Sequence, residues 1–145
     1  MPRKTKEKRR GVVDTSVLVA GVSGFKEQYV PGRVPSADVL HEWAEKGNFI
    51  WLITEEILDE YKEVLKRLKV RPALIGKIIN LLRETAEQVK HGSSPEISPD
   101  PKDDPFCLCA ENGEADFIVT LNPADFPQDR LKASVRTPTE MNESS

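Results

Sequence analysis

The pattern that most constrains this chain is an alternation of short, unbroken apolar runs with longer stretches whose apolar residues recur every three or four positions. Gly11-Val12-Val13, Phe49-Ile50-Trp51-Leu52-Ile53 and Phe117-Ile118-Val119-Thr120 are too short for helices. They are also too uniformly apolar for strands with one wet face, so they read as strands covered on both sides, as in a parallel sheet. Val135 to Thr137 reads as a last edge strand before Pro138. Between the first two strands, Val17, Leu18 and Ala20 suit a short helix or turn closed by Gly21. Residues 22–35, with Gly24, Pro31, Gly32 and Pro35, read as a loop. Ser36 can cap a helix with Val39, Leu40, Trp43 and Ala44 on one face, ending at Gly47. Thr54 can cap the next, with Glu55 and Glu56 in its first turn and Ile57, Tyr61, Val64, Leu65 and Leu68 at helical spacing. Pro72 opens another, with Leu74, Ile75, Ile78, Ile79, Leu81 and Leu82 as its apolar side. After a loop-like stretch from His91 to Pro101, Asp103 or Asp104 caps a helix through Phe106, Cys107, Leu108 and Ala110, stopped by Gly113. Strands alternating with helices in this way predict a three-layer α/β/α sandwich with a mostly parallel central sheet.

At 145 residues the chain suits one domain, expected over residues 11–138, between a basic flexible arm (1–10) and a frayed tail (139–145). Its hydrophobic content of 38% is too high for a disordered chain. No apolar run approaches the 18 or more residues of a spanning helix, and Asp14 interrupts the segment from Val12 to Ala20 that would otherwise suggest a secretory signal. Two cysteines cannot build a disulfide framework, so a cytoplasmic protein without a membrane association is expected. Charge is unevenly placed: residues 1–10 hold +5 of a chain whose net charge is −3, which leaves −8 on the rest. Arg3, Lys4, Lys6, Lys8, Arg9 and Arg10 are candidate contacts for a nucleic-acid backbone, or simply a solubilising terminus.

Several acids stand where strands end and helices begin. Asp14 closes the first strand immediately after two valines, where a carboxylate is costly to bury unless a cation or hydrogen-bond donors meet it; alone, it also suits an N-cap. Glu60 shares a helix stripe with Glu56 and Glu63, off the apolar face, as a solvated glutamate would. Asp100, Asp103 and Asp104 crowd one loop-to-helix junction, more acids than capping explains. Asp116 precedes the strand FIVT and Asp125 follows it, while Thr120 places a hydroxyl at the carboxyl end of that strand. Carboxyl ends of parallel strands share one edge, where functional groups gather, and carboxylates brought together there repel one another. Mg²⁺ or Mn²⁺, hard cations that prefer oxygen, relieve that repulsion and can activate water for displacement at a phosphate. No competing centre is visible: His41 and His91 belong to different elements, Cys107 and Cys109 suit core thiols, and no glycine-rich phosphate loop occurs.

The ordered set DTSVLVAG (14–21), ITEEILDEYKEVLKRL (53–68), DPKDDPFCLCA (100–110) and ADFIVTLNPADFP (115–127) resembles the PIN-domain family. Within it, the chain is similar to the small VapC-like toxin ribonucleases of type II toxin–antitoxin systems. The resemblance implies Asp14, Glu60, Asp103 and Asp116 as the catalytic and metal-holding acids, with Asp104 as the neighbour that competes with Asp103. It further implies Ser16 and Thr120 as residues that orient ligands or the attacking water. Many family members read T-G-D or T-R-D where this chain reads Thr120-Leu-Asn122. A neutral amide is a weaker metal ligand than a carboxylate, which leaves the missing charge to Asp116 or Asp125.

The function these implications add up to is a metal-dependent endoribonuclease cleaving single-stranded RNA with Mg²⁺ or Mn²⁺. As the resemblance implies, it would be a homodimer inhibited by a small antitoxin protein. A non-catalytic PIN-like module that binds RNA, or serves as a scaffold, is the alternative, favoured by Asn122 and the basic arm. A phosphoacceptor signalling domain also gathers acids beyond strand ends, but no lysine follows a late strand here.

Overall fold

The computed structural model describes residues 8–90 and 104–143. Five strands, β1 (Arg9–Val13), β2 (Phe49–Ile53), β3 (Glu87–Gln88), β4 (Phe117–Val119) and β5 (Ser134–Arg136), form one sheet in the order β3-β2-β1-β4-β5. Every pairing is parallel, with Gly11 opposite Trp51 on one side and Phe117 on the other. Six helices among the described residues complete an α/β/α sandwich: α1 (Thr15–Ala20), α2 (Pro35–Lys46), α3 (Glu55–Arg67), α4 (Pro72–Thr85), α5 (Asp104–Asn112) and α6 (Pro138–Glu143). The apolar runs earn their place because both faces of the sheet are covered. Val12, Val13, Trp51, Leu52, Phe117, Ile118 and Val119 are all fully buried.

Local chemistry explains the helix ends. Thr54 caps α3 as its sequence suggests, its hydroxyl accepting from the Ile57 amide at 3.1 Å. Gly47 ends α2 in the left-handed region (φ 57°), its amide donating to the Trp43 carbonyl at 2.8 Å. α2 starts at Pro35 rather than on a Ser36 cap, with proline at a position where its missing N–H costs nothing. Aromatic rings pack the centre: Trp51 lies 4.7 Å from Trp43 and 6.2 Å from Tyr61, ring centroid to ring centroid. Cys107 and Cys109 are buried thiols outside any disulfide, and burial pushes the Cys109 thiol up to about 12.

Four boundaries differ from those expected. β1 begins at Arg9, so Arg9 and Arg10 belong to the sheet and not to the arm. Residues 138–143 form α6 rather than a frayed tail. Thr137-Pro-Thr-Glu140 is a capping box: the Glu140 amide donates to the Thr137 hydroxyl at 3.2 Å, and the Thr137 amide donates to the Glu140 carboxylate at 2.8 Å. The short exposed strand β3 has no counterpart in the sequence expectations, because Glu87-Gln88 carries no apolar signal. β5 sits one residue earlier than the Val135–Thr137 segment.

Gly11 marks the tightest point of the central strand. A Cβ built there would stand 2.1 Å from the Phe117 ring. That ring cannot retreat, being fully buried, 5.3 Å from Phe49 and covered by the Arg9 guanidinium. Gly11→Ala is therefore expected to destabilise the protein by about 1–3 kcal/mol through overpacking, measured as a lowered urea midpoint with an unchanged slope.

Candidate active site

The sheet order places one point of the molecule apart. After β1 the chain builds β2 and β3 on one side, then crosses to build β4 and β5 on the other. Helices at such a reversal leave a crevice beyond the carboxyl ends of the two strands, here β1 and β4. Asp14 follows the last residue of β1, and Thr120 follows the last residue of β4.

Asp14 is 6% exposed, and its amide donates to the Val119 carbonyl at 3.0 Å, prolonging the ladder between the strands. Its Oδ2 accepts from the Ser16 hydroxyl at 2.6 Å and from the fully buried Thr120 hydroxyl at 2.8 Å. Each hydroxyl is oriented in turn: Ser16 Oγ accepts from the Leu121 amide at 3.1 Å, and Thr120 Oγ1 from the Asn122 amide at 3.0 Å. With backbone amides donating to both hydroxyl oxygens, the hydroxyl protons are directed at the carboxylate and fix its orientation. Asn122 contributes through its backbone amide, and its residue as a whole is exposed.

Glu60 arrives from the second turn of α3, where it is partly buried. The hydroxyl of Thr15, the residue next to Asp14, donates to Glu60 Oε2. Burial raises the Glu60 pKa, the Thr15 hydrogen bond opposes that rise, and the charges of Asp14, Glu56 and Glu63 add to it. The charges that act most strongly on Glu60 are thus all acidic. No ion pair among the described residues involves Asp14 or Glu60. Tyr61, adjacent to Glu60 and fully buried, donates its hydroxyl to the carbonyl of Val13, adjacent to Asp14. One hydrogen bond thereby ties the helix carrying one carboxylate to the strand carrying the other. The sequence reading assigns this role to neither Thr15 nor Tyr61. Thr15 is visible inside the DTS motif, but Tyr61 reads only as part of an apolar stripe.

Asp116 does not join this group. It precedes β4, its amide donates to the Arg10 carbonyl at 2.7 Å, and its Oδ2 accepts from the Arg10 amide at 2.7 Å. That places it at the amino edge of the parallel sheet, about four residues or 13 Å of strand from Asp14, where it closes the β1–β4 ladder. The expectation that Asp116 completes the acid cluster is corrected accordingly. Asp125 is exposed on the short 3-10 turn Pro123–Asp125, with no hydrogen bond or ion pair to Asp14 among the described residues. Asp104 is the first residue of α5, and Asp103 lies outside the described residues.

The basic residues expected to contact nucleic acid divide similarly. Arg9 stacks over Phe117 at 5.3 Å, and Arg10 pairs with Glu87 and donates to the Gly113 carbonyl at 2.9 Å, so both are structural. Lys8 is exposed, and Arg3, Lys4 and Lys6 lie outside the described residues. The arm joins the fold at the amino edge, opposite Asp14.

Among the described residues, no group of three or more His, Cys, Asp or Glu is placed to hold a metal ion. The donors that do converge, two carboxylates and three hydroxyls, are all oxygen, the set that suits Mg²⁺ or Mn²⁺ and not a softer metal. Two carboxylates with no ion-pair partner among the described residues are likewise what a divalent ion would relieve.

Two outcomes test this geometry without any assay of turnover. A glutamate whose folded pKa lies above its unfolded value takes up a proton more readily when folded, so its ionisation destabilises the fold as pH rises through the folded pKa. Glu60→Gln is expected to raise the melting temperature at neutral pH without divalent ion, and to flatten the gain in stability that the parent shows as pH falls toward the ordinary glutamate range. Tyr61→Phe removes the tether at Val13 and is expected to cost about 1–2 kcal/mol in urea denaturation.

A family model described as a PIN domain matches residues 10–124. A search of the curated proteins finds no match. The matched span runs from β1 through Asp14, α3 and Glu60 to Thr120 and Asn122, so it contains the whole of the site described above, and the chain belongs to the PIN domain family, a nuclease-type fold.

Proposed function

We propose that this protein is a divalent-metal-dependent endoribonuclease acting on single-stranded RNA. The observation that supports this most is the approach of Glu60 to Asp14 beyond the carboxyl ends of β1 and β4, with acidic charges the strongest that act on Glu60. Asp14 and Glu60, with Asp103 or its neighbour Asp104, would hold Mg²⁺ or Mn²⁺. Bound there, the ion supplies an activated water and neutralises charge on the phosphate under attack. The protein's own groups do the rest. Ser16 and Thr120 donate to the Asp14 carboxylate and fix its rotamer. Thr15 aims Glu60. Tyr61 fixes the separation between the two acids. A homodimer and a small antitoxin protein as inhibitor belong to the same proposal.

A non-catalytic RNA-binding role is the second reading. Asn122 in place of an acid and Asp116 at the far edge both reduce the carboxylates available. Cleavage assays separate the two. Asp14→Asn is expected to abolish Mn²⁺-dependent cleavage of single-stranded RNA while Asp116→Asn, provided it folds, retains it. Millimolar Mn²⁺ is expected to raise the melting temperature of the parent but not of Asp14→Asn, since an ion that binds only the native state stabilises it. RNA left intact at every metal concentration, with binding that weakens steeply in salt, would establish the second reading.

A further inference from the structure

The acids at the proposed centre raise a problem of attraction. A phosphodiester approaching Asp14 and Glu60 also meets Glu56 and Glu63, so affinity for a nucleic-acid backbone has to come from cations placed elsewhere. Lys8, next to β1 at the amino edge of the sheet, is poorly placed for this. A second basic region answers better. Residues 66–77, KRLKVRPALIGK, carry five basic side chains and no acid in a chain whose net charge is −3. They form the corner between α3 and α4.

Arg71 and Lys77 from this corner line a cleft of about 510 Å³, opposite Lys26 and Gln28 from the segment after the 3-10 turn Val22–Phe25. Phe25 lies at the base, and among the described residues Glu27 is the one acid on the lining. Other basic residues nearby are engaged, Lys62 with Asp59 at 3.4 Å and Arg67 with Glu63 at 3.2 Å. Among the described residues, Lys26, Arg71 and Lys77 have no ion-pair partner, and all three are exposed.

The cleft continues into a second of about 410 Å³ that shares Lys26, Glu27 and Lys77, adds Glu45, and is bordered by Tyr29 and His41, whose rings stack at 4.1 Å. Free cations beside aromatic planes are the combination that holds single-stranded nucleic acid. An acidic protein segment would use the cations but has less need of the planes.

The position also fits. Arg71 follows Glu60 by eleven residues, seven of them in α3, so the two lie within about 25 Å of each other. Lys26 follows Asp14 by twelve residues, six of them in α1 and four in the 3-10 turn. The two are therefore within about 30 Å of each other, a span of several nucleotides.

We infer that the cleft between Lys26 and the α3–α4 corner, with Arg71 and Lys77, holds the sugar–phosphate backbone of single-stranded RNA whose scissile bond lies at Asp14 and Glu60. This rests on the nuclease reading above for its substrate.

The test is equilibrium binding of a fluorescent single-stranded RNA, followed by anisotropy over a salt series. Asp14→Asn serves as the parent so that the RNA stays intact. The triple variant Lys26→Gln, Arg71→Gln, Lys77→Gln is expected to weaken binding about tenfold or more at low salt. It should also make the slope of log affinity against log salt shallower by about 2, roughly 0.7 for each phosphate no longer neutralised. A control carrying Lys62→Gln and Arg67→Gln should leave both values unchanged.

Equal affinity and slope in the triple variant would overturn the assignment, even with Mn²⁺-dependent cleavage intact in the otherwise natural protein. Binding that is lost in the triple variant, from a protein that cleaves no RNA, would refute the nuclease reading and leave the cleft standing. A poly-glutamate peptide bound as tightly as RNA through the same three residues would assign the cleft to an acidic protein segment and overturn the proposal.

Discussion

The structure depends on one nearly buried carboxylate. Asp14 lies at the end of the central strand, against residues with no access to water, where an unpaired charge is costly. It is tolerated because Ser16 and Thr120 both donate to it, and because the backbone amides of Leu121 and Asn122 hold those hydroxyls in the donating orientation. The turn after β4, the start of α1 and the β1–β4 ladder are thus parts of one hydrogen-bond network around a single charge. A change to any of them acts on that charge.

α3 carries the complementary part. Successive residues divide the work, Tyr61 tying the helix to β1 and Glu60 bringing a second negative charge to the first. The tether works against the repulsion it enforces, so part of the fold's stability is spent holding two like charges together. Such local instability at a site that awaits a ligand is a familiar exchange of stability for function.

Much of the architecture was legible because its signals are local. The runs GVV, FIWLI and FIV follow from burial on two faces, and the Thr54 cap and Gly47 stop follow from backbone chemistry within a few residues. Where legibility failed, the reasons are physical. Glu87-Gln88 is a two-residue strand with exposed side chains, and pairing alone leaves no apolar trace. α6 had its capping box in plain view, but its position near the chain end suggested fraying instead. Arg9 and Arg10 read as part of a charged arm because their partners, Phe117 and Glu87, are far away in sequence.

The sequence by itself determined most of the strands and helices, that the sheet is mostly parallel, and that Asp14 and Thr120 end strands. These follow from apolar periodicity and from the short range of backbone hydrogen bonding. Only the tertiary structure decided which acids meet. An acid beside a strand can lie at either edge of the sheet, and the chain direction through β4 sends Asp116 to the amino edge and Thr120 to the other. Tyr61 reads as one more apolar residue until the α3–β1 packing turns its hydroxyl toward Val13. Charge behaves the same way: the formal total is a property of composition, but whether a lysine is free or neutralised depends on what folding brings beside it.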